Sequence, residues 1–395
     1  GTQRFIAIDV PTQGDWITTP DDRRICRLVL RSPGAVMLSV QFDRFDLPSD
    51  AVLYLYNEDR TYFLGGFNEQ NELPDGTLAT AVVPGDALVI ELQERDPSPV
   101  PSDLHIASIT HGYRDIFHFG DQGLLRDYDP GYQSAPCHNN VICPVASAWQ
   151  QQKRAVAMFL RPDGNGCTGQ LVNNANNDGT PYFYAANHCY TANENQWVFY
   201  FNYESPTCVG NTGPTTQTIT GSTLKANYYF DDFLLLQLSS TPPAAYQPFY
   251  GGWDHSGSTP TTGTVIGHPL YDVKKITFDN NAATSYSVVP YTGAPETVKC
   301  WKSFWDSGIV EAVCSGSALW DQNKRIVGHM FEGAQTCANP ASVYTGCAKF
   351  SESWDGTSAS TRLRDWANPT NTATTLDGYD PSATPAPGEL VKFAA

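Results

Sequence analysis

"AVMLSVQFDRF", residues 35–45, places Val36, Leu38, Val40 and Phe42 on one face at period two. That alternation is the pattern of a half-buried β-strand. Similar short runs surround it: "RRICRLVLRS" at 23–32, "AVLYLYN" at 51–57, "TYFLGGFN" at 61–68, "TLATAVV" at 77–83, "ALVIELQER" at 87–95 and "LHIASITHGYR" at 104–114. Pro, Gly and Asp turns separate them, so residues 1–117 are predicted to form a β-sandwich. His105 and His111 lie within these runs and read as structural.

The rest of the composition agrees with an all-β protein. Charged residues make up 16% of the 395, while Gly (32) and Pro (28) are plentiful. A formal charge of −17 argues against nucleic acid or an anionic membrane surface as partner, since both need a basic face. No apolar run reaches the roughly 18 residues a membrane-spanning helix needs, so membrane insertion is not expected. Of the ten cysteines, nine fall between Cys137 and Cys347. They form no C-x-x-C pair, and no histidines show zinc-ligand spacing. Disulfides in an oxidising compartment are expected, with no metal and no cofactor. The chain opens directly in strand-like "GTQRFIAIDV". A secreted, extracellular protein is expected, with its signal peptide absent from this chain.

Residues 118–136, "HFGDQGLLRDYDPGYQSAP", carry breakers and little periodicity and read as a linker. Strand-like sequence resumes over 137–368 and ends in "SASTRLRDWANP", where Ser360 or Thr361 is a candidate cap for a short helix stopped by Pro369. The Thr/Pro/Ala-rich stretch 369–395 reads as a frayed end or a spacer.

One stretch of the second half raises a question of chemistry. "GIVEAVCSGSALWD", 308–321, gathers Ser315, Ser317 and Cys314 around Gly316. Small residues before an apolar strand are ordinarily a turn. The stretch also lacks the flanking glycines of the α/β-hydrolase nucleophile elbow. A serine nucleophile needs an imidazole base and a buried carboxylate to orient it. His188 in "PYFYAANHCY" and Asp231 or Asp232 in "YYFDDFLLLQL" supply both types, each at the end of an apolar run. An acid entering a buried strand needs a partner, and a histidine N–H is suitable. The chain order His, Asp, Ser is one in which such triads occur.

Residues 137–368 resemble the bacterial lysyl endopeptidases, a secreted branch of the chymotrypsin-like (trypsin-like) serine peptidases. The resemblance runs through "CHNNVICP", "CTGQLVNN", "YFYAANHCY", "DDFLLLQL", "YGGWD", "GHPLYDVKKITF", "CSGSALWD", "VGHMFEGAQTC" and "RLRDWANP". It implies a double β-barrel with the active site in the cleft between barrels, acting on protein or peptide substrates through an acyl-enzyme. It implies His188 as base, Asp232 as its orienter and Ser315 as nucleophile, with the backbone N–H groups of Val313 and Ser315 as oxyanion hole. It also implies the disulfides Cys137–Cys337, Cys143–Cys208 and Cys167–Cys189. Among Cys300, Cys314 and Cys347 one bridge is expected, and Cys26 is expected to be a buried free thiol. The N-terminal unit is more loosely similar to pro-regions of this family. That implies a zymogen whose sandwich covers its own cleft.

Two departures from the family pattern stand out. Val313 occupies a position usually held by Gly, and a β-branched residue tolerates unusual φ/ψ poorly, so an altered oxyanion turn is expected. The loop that carries the family's lysine-binding acid reads "CANPASVYTGCAKF" here and contains no acid. Tyr291 takes the place of the backing aromatic, and Tyr344 lies within the loop. Glu332 in "FEG" is the candidate replacement charge, its plain alternative being a solvated surface acid. Strict lysine preference is therefore not expected. The first lysine in the chain is Lys153, and Arg126 is the only basic residue of the linker. A strictly lysine-specific enzyme would be unable to cut its own linker. The rival reading is a catalytically impaired homologue acting as a protein-binding module.

Overall fold

The computed structural model describes residues 1–98, 100–125, 133–333 and 335–383. Arg126 and the end of the tail lie outside the described residues. The N-terminal part is a sandwich of two five-stranded sheets. Thr2–Asp9, Asp103–Gly112, Met37–Asp46 and Leu78–Ala79 form the first, with Val83–Pro84 also paired to Met37–Asp46. Asp15–Thr18, Arg23–Arg31, Ala87–Arg95, Val52–Tyr56 and Phe63–Phe67 form the second. Val40, Phe42, Leu53, Leu55, Ile90, Leu92, Leu104 and Ile106 are fully buried between them.

Residues 37–42 are buried on both faces, not one. The outer face carries Ser39 and Gln41, and Gln41 exchanges hydrogen bonds with Thr110 (3.1 Å) and Ser108 (2.7 Å). Thr110 in turn donates to the carbonyl of Pro162, in the second half of the chain (2.8 Å). The face expected to meet water meets the rest of the protein instead.

A seven-stranded sheet follows, ordered Thr218–Thr220, Val198–Phe201, Val156–Leu160, Gly166–Leu171, Tyr182–Ala186, Phe233–Leu238, Ser222–Tyr228. Its two edge strands are consecutive in the chain and meet at Gly221, so the sheet closes into a barrel. Gly221 has φ +84°, and a Cβ there would lie 2.7 Å from Leu73 and 2.9 Å from the carbonyl of Asn195. Only glycine fits that corner. The second barrel is a ten-stranded sheet that includes Gly263–Gly267, Lys275–Asp279, Val298–Ser303, Ala318–Trp320, Ile326–Gly333 and Thr345–Lys349. A bridge between Phe278 and Ser307 brings its far end back to Lys275–Asp279.

Alternate residues explain how sandwich and first barrel join. Ala157, Phe159, Phe199 and Phe201 face the barrel interior. Met158, Leu160, Val198 and Tyr200 point the other way and share one apolar cluster with the sandwich core. The sandwich therefore lies along the outer wall of the first barrel. Among the described residues, none of 1–117 hydrogen-bonds to the side chains of His188, Asp232 or Ser315.

Three local features add detail to the sequence reading. The segment 118–125 does not run free: Phe117 and Phe119 are fully buried, and Asp115 accepts from the N–H groups of Phe119 and Gly120. The tail is strapped down through Thr375–Leu376, which pairs with Trp253–Asp254, and through an Arg325–Asp377 ion pair at 2.8 Å. The C-terminal helix is a single turn, Arg364–Ala367, with Leu363 at its N-cap and no side-chain cap; Ser358 and Thr361 form a capping box on the separate 3₁₀ turn Ala359–Thr361.

Candidate active site

Asp232 directly precedes the strand Phe233–Leu238 and is nearly fully buried. Its Oδ1 accepts the backbone N–H of His188 (2.8 Å), and its Oδ2 lies 2.8 Å from His188 Nδ1. Burial works against the carboxylate charge. Hydrogen bonds from His188 and His329 outweigh it and hold this carboxyl below the ordinary range. Neighbouring Asp231 has no such donors, and burial with the like charges of Glu352 and Glu296 pushes it up to about 7.

His188 sits on a one-turn 3₁₀ helix, Asn187–Cys189, directly after Tyr182–Ala186. Its imidazole is 36% exposed, so one edge reaches solvent while Nδ1 faces Asp232. The Ser315 turn packs on that same strand. Gly316 has φ +86°, and a Cβ there would fall 2.4 Å from the carbonyl of Thr168 and 2.8 Å from the nitrogen of Ala186. Thr168 grips the turn twice, donating N–H to Ser315 O (3.1 Å) and Oγ1 to Val313 O (2.8 Å). The Cys167–Cys189 disulfide ties Thr168's neighbour to His188's neighbour. Ser315 is half-buried, and its Oγ has no hydrogen bond among the described residues. Ser317 is fully buried beneath it, with Oγ unpartnered.

Val313 has φ +75°, so its main chain holds the left-handed conformation that glycine favours. The N–H groups of Val313 and Ser315 donate to no partner among the described residues. Cys137 is bonded to Cys337 and Cys143 to Cys208. Cys26, Cys300, Cys314 and Cys347 are buried free thiols, so the further bridge expected among the last three is absent. The reason for Cys300 and Cys347 is register. Cys347 pairs with Trp301 while Cys300 pairs with Ala348, so the two thiols point to opposite faces.

Glu332 and Tyr344 line one cleft of about 310 Å³ with Gly333 and Val343. Tyr286, unnoticed in the sequence, donates its hydroxyl to Glu332 (2.6 Å). Tyr291 is not part of that cleft; it is about half exposed and packs on Tyr229, 5.9 Å between centroids. Sequence reasoning also missed Phe331, whose ring lies 6.0 Å from that of His188, and His329, which contacts Asp232. A lone histidine in an apolar strand carries no signal of its own.

Residues 132–346 match the family described as lysyl endopeptidase, C-terminal domain. A lysyl endopeptidase of Pseudomonas aeruginosa is 27% identical over 364 residues, covering 85% of this chain and 74% of its own. That span extends beyond 137–368 into the sandwich. Among solved structures, an active-form protease from M. tuberculosis aligns at 18% identity with a TM-score of 0.37, covering 57% of this chain and 88% of its own. A thermostable serine protease from an extremophilic microorganism aligns at 13% identity with a TM-score of 0.36, covering 50% of this chain and 93% of its own. The chain belongs to the lysyl endopeptidase family and is a serine endopeptidase.

Proposed function

We propose that this protein is a secreted endopeptidase, made as a zymogen, that cleaves peptide bonds through His188, Asp232 and Ser315. The observation that carries the reading is the double hydrogen bond from His188 to Asp232, beside a serine turn packed on the same strand. With Nδ1–H donating to Asp232, Nε2 is left as the acceptor for the Ser315 hydroxyl proton. Ser315 Oγ attacks the carbonyl, the oxyanion is held by the N–H groups of Val313 and Ser315, and His188 returns the proton to the leaving amine. Water then hydrolyses the acyl-enzyme by the same relay. Three disulfides suit an oxidising, extracellular setting.

The cleft beside Glu332 supports a tolerant preference at the cut. A substrate side chain there meets one wall carboxylate, already held by Tyr286, and Val343 and Tyr344 in place of an acid. A basic side chain is accommodated, but lysine is not singled out.

An organophosphonate probe tests the assignment. Wild type and Ser317→Ala should be labelled, while Ser315→Ala should not, with kcat about 10⁶ lower. Labelling of Ser315→Ala would overturn the nucleophile. Absence of labelling in all three would favour the impaired-homologue reading. A peptide-library profile of the wild type should show cuts after arginine and neutral residues as well as lysine.

A further inference from the structure

We propose that His329 is a positioning residue for the triad, donating from Nε2 to Oδ2 of Asp232, the oxygen that also faces His188 Nδ1. The inference rests on Asp232 being the partner of a catalytic His188. His329 lies in the strand Ile326–Gly333 of the second barrel and is fully buried. Its Nε2 is 3.4 Å from Asp232 Oδ2, and its Nδ1 is 2.7 Å from the hydroxyl of Tyr184. Asp232 lies beside the first barrel's strand Phe233–Leu238, so the contact links the two barrels across the cleft floor.

The protons follow from the partners. A lone pair on Nε2 facing a carboxylate would be repulsive, so Nε2 carries hydrogen, and Nδ1, facing the Tyr184 hydroxyl, takes the acceptor role. Tyr184 is fully buried, which pushes its phenol well above the ordinary range, so it stays protonated and can be that donor. The chain of donors therefore runs from Tyr184 to His329 to Asp232. Asp232 itself sits at φ +53°, an uncommon conformation for a non-glycine residue, at the mouth of a buried strand. A carboxylate so placed keeps one orientation only if its oxygens are held from more than one direction. His188 holds it from the first barrel and His329 from the second.

The test uses the full chain and steady-state peptide hydrolysis. His329→Met keeps a long apolar side chain and removes the donor. It should lower kcat about 10- to 100-fold, the worth of one hydrogen bond to a charged group, with KM within about twofold. His329→Gln carries an amide N–H near the place of Nε2 and should recover to within about threefold of wild type. Tyr184→Phe removes the lock on the ring's tautomer and should lower kcat about three- to tenfold, again at constant KM. Unchanged kcat in His329→Met overturns the proposal. So does a His329→Gln variant that folds yet falls as far as His329→Met, since that marks a packing role. Should both His329 variants fail to fold, an unchanged kcat in Tyr184→Phe overturns it alone. The Ser315→Ala control separates the two levels: residual wild-type turnover there means the triad reading has failed, not this one.

Discussion

Val313 is a valine where the backbone asks for glycine. A φ of +75° on a β-branched residue costs on the order of 1–3 kcal/mol. The side chain is buried, which offsets a similar amount, about 1.5–3 kcal/mol. The main chain is also tied on both sides, by Thr168 to Val313 O and by Leu270 N–H to Ala312 O (2.7 Å). The strain is held by these ties rather than relieved. Val313→Gly should change kcat by less than about threefold, because Thr168 and Leu270 tie the main chain whichever residue stands there. A rise of tenfold or more would show that valine displaces its own N–H donor. Asp231 supports a second prediction, in pH. Its folded value of about 7 stands above the ordinary 3.8. Between those values the unfolded chain releases a proton that the folded chain keeps, so stability falls as pH rises through the window and is flat above it. Asp231→Asn should therefore stabilise the protein at pH 8 by about 1–2 kcal/mol, discounted for partial solvent exposure, and hardly at all at pH 4. Urea denaturation at both pH values measures this. Equal stabilisation at the two would remove the cause.

At the scale of elements, what was legible depended on whether a strand had two different faces. "VAMFL" at 156–160 and "VFYF" at 198–201 are apolar throughout and show no period. Both faces are covered, one by the barrel core and one by the sandwich, and two apolar faces erase the alternation that distinguishes them. The interface between the halves is hidden for that reason, and the polar alternates Ser39 and Gln41 give no sign in the sequence that they too are covered. The packing of segment 118–125 is hidden for the opposite reason: Phe117 and Phe119 pack in irregular backbone, which has no period to detect. In the candidate site, His188, Asp232 and Ser315 were legible because each follows or begins an apolar run in a recognisable order. His329 and Tyr184 were not, since their roles depend on two strands from different barrels meeting. Tyr291, carried by position alone, packs on Tyr229.

For the molecule as a whole, the joint between sandwich and first barrel bears on the activation proposed above. Phe117 packs against Tyr200 and Tyr203 at 4.8 and 5.1 Å, Tyr62 bonds Thr215 at 2.8 Å, and Tyr200 OH accepts from Val82 N–H at 3.2 Å. Both sides of the 126–132 stretch are pinned to one carboxylate, Asp272, by His118 at 3.4 Å and by Ser134 Oγ at 2.5 Å. Burial alone would lower the charge on His118, but Asp272 with Asp115 and Asp121 raises its proton affinity, while Asp272 is held down to about 2. The His118–Asp272 pair therefore favours the joined form most in mildly acidic solution, where both are charged, and less as pH rises past the histidine range or falls toward 2. Separating the parts would expose Met158, Leu160, Val198 and Tyr200, each worth about 1.5–3 kcal/mol when buried. A single cut within 126–132 should therefore leave sandwich and peptidase travelling together. Size-exclusion chromatography of the nicked protein should give one peak containing both fragments at neutral pH, splitting only in denaturant. Free sandwich in plain buffer would show that the joint is weaker than its apolar area implies. Release would then follow cleavage directly, with no second step such as digestion of the sandwich itself.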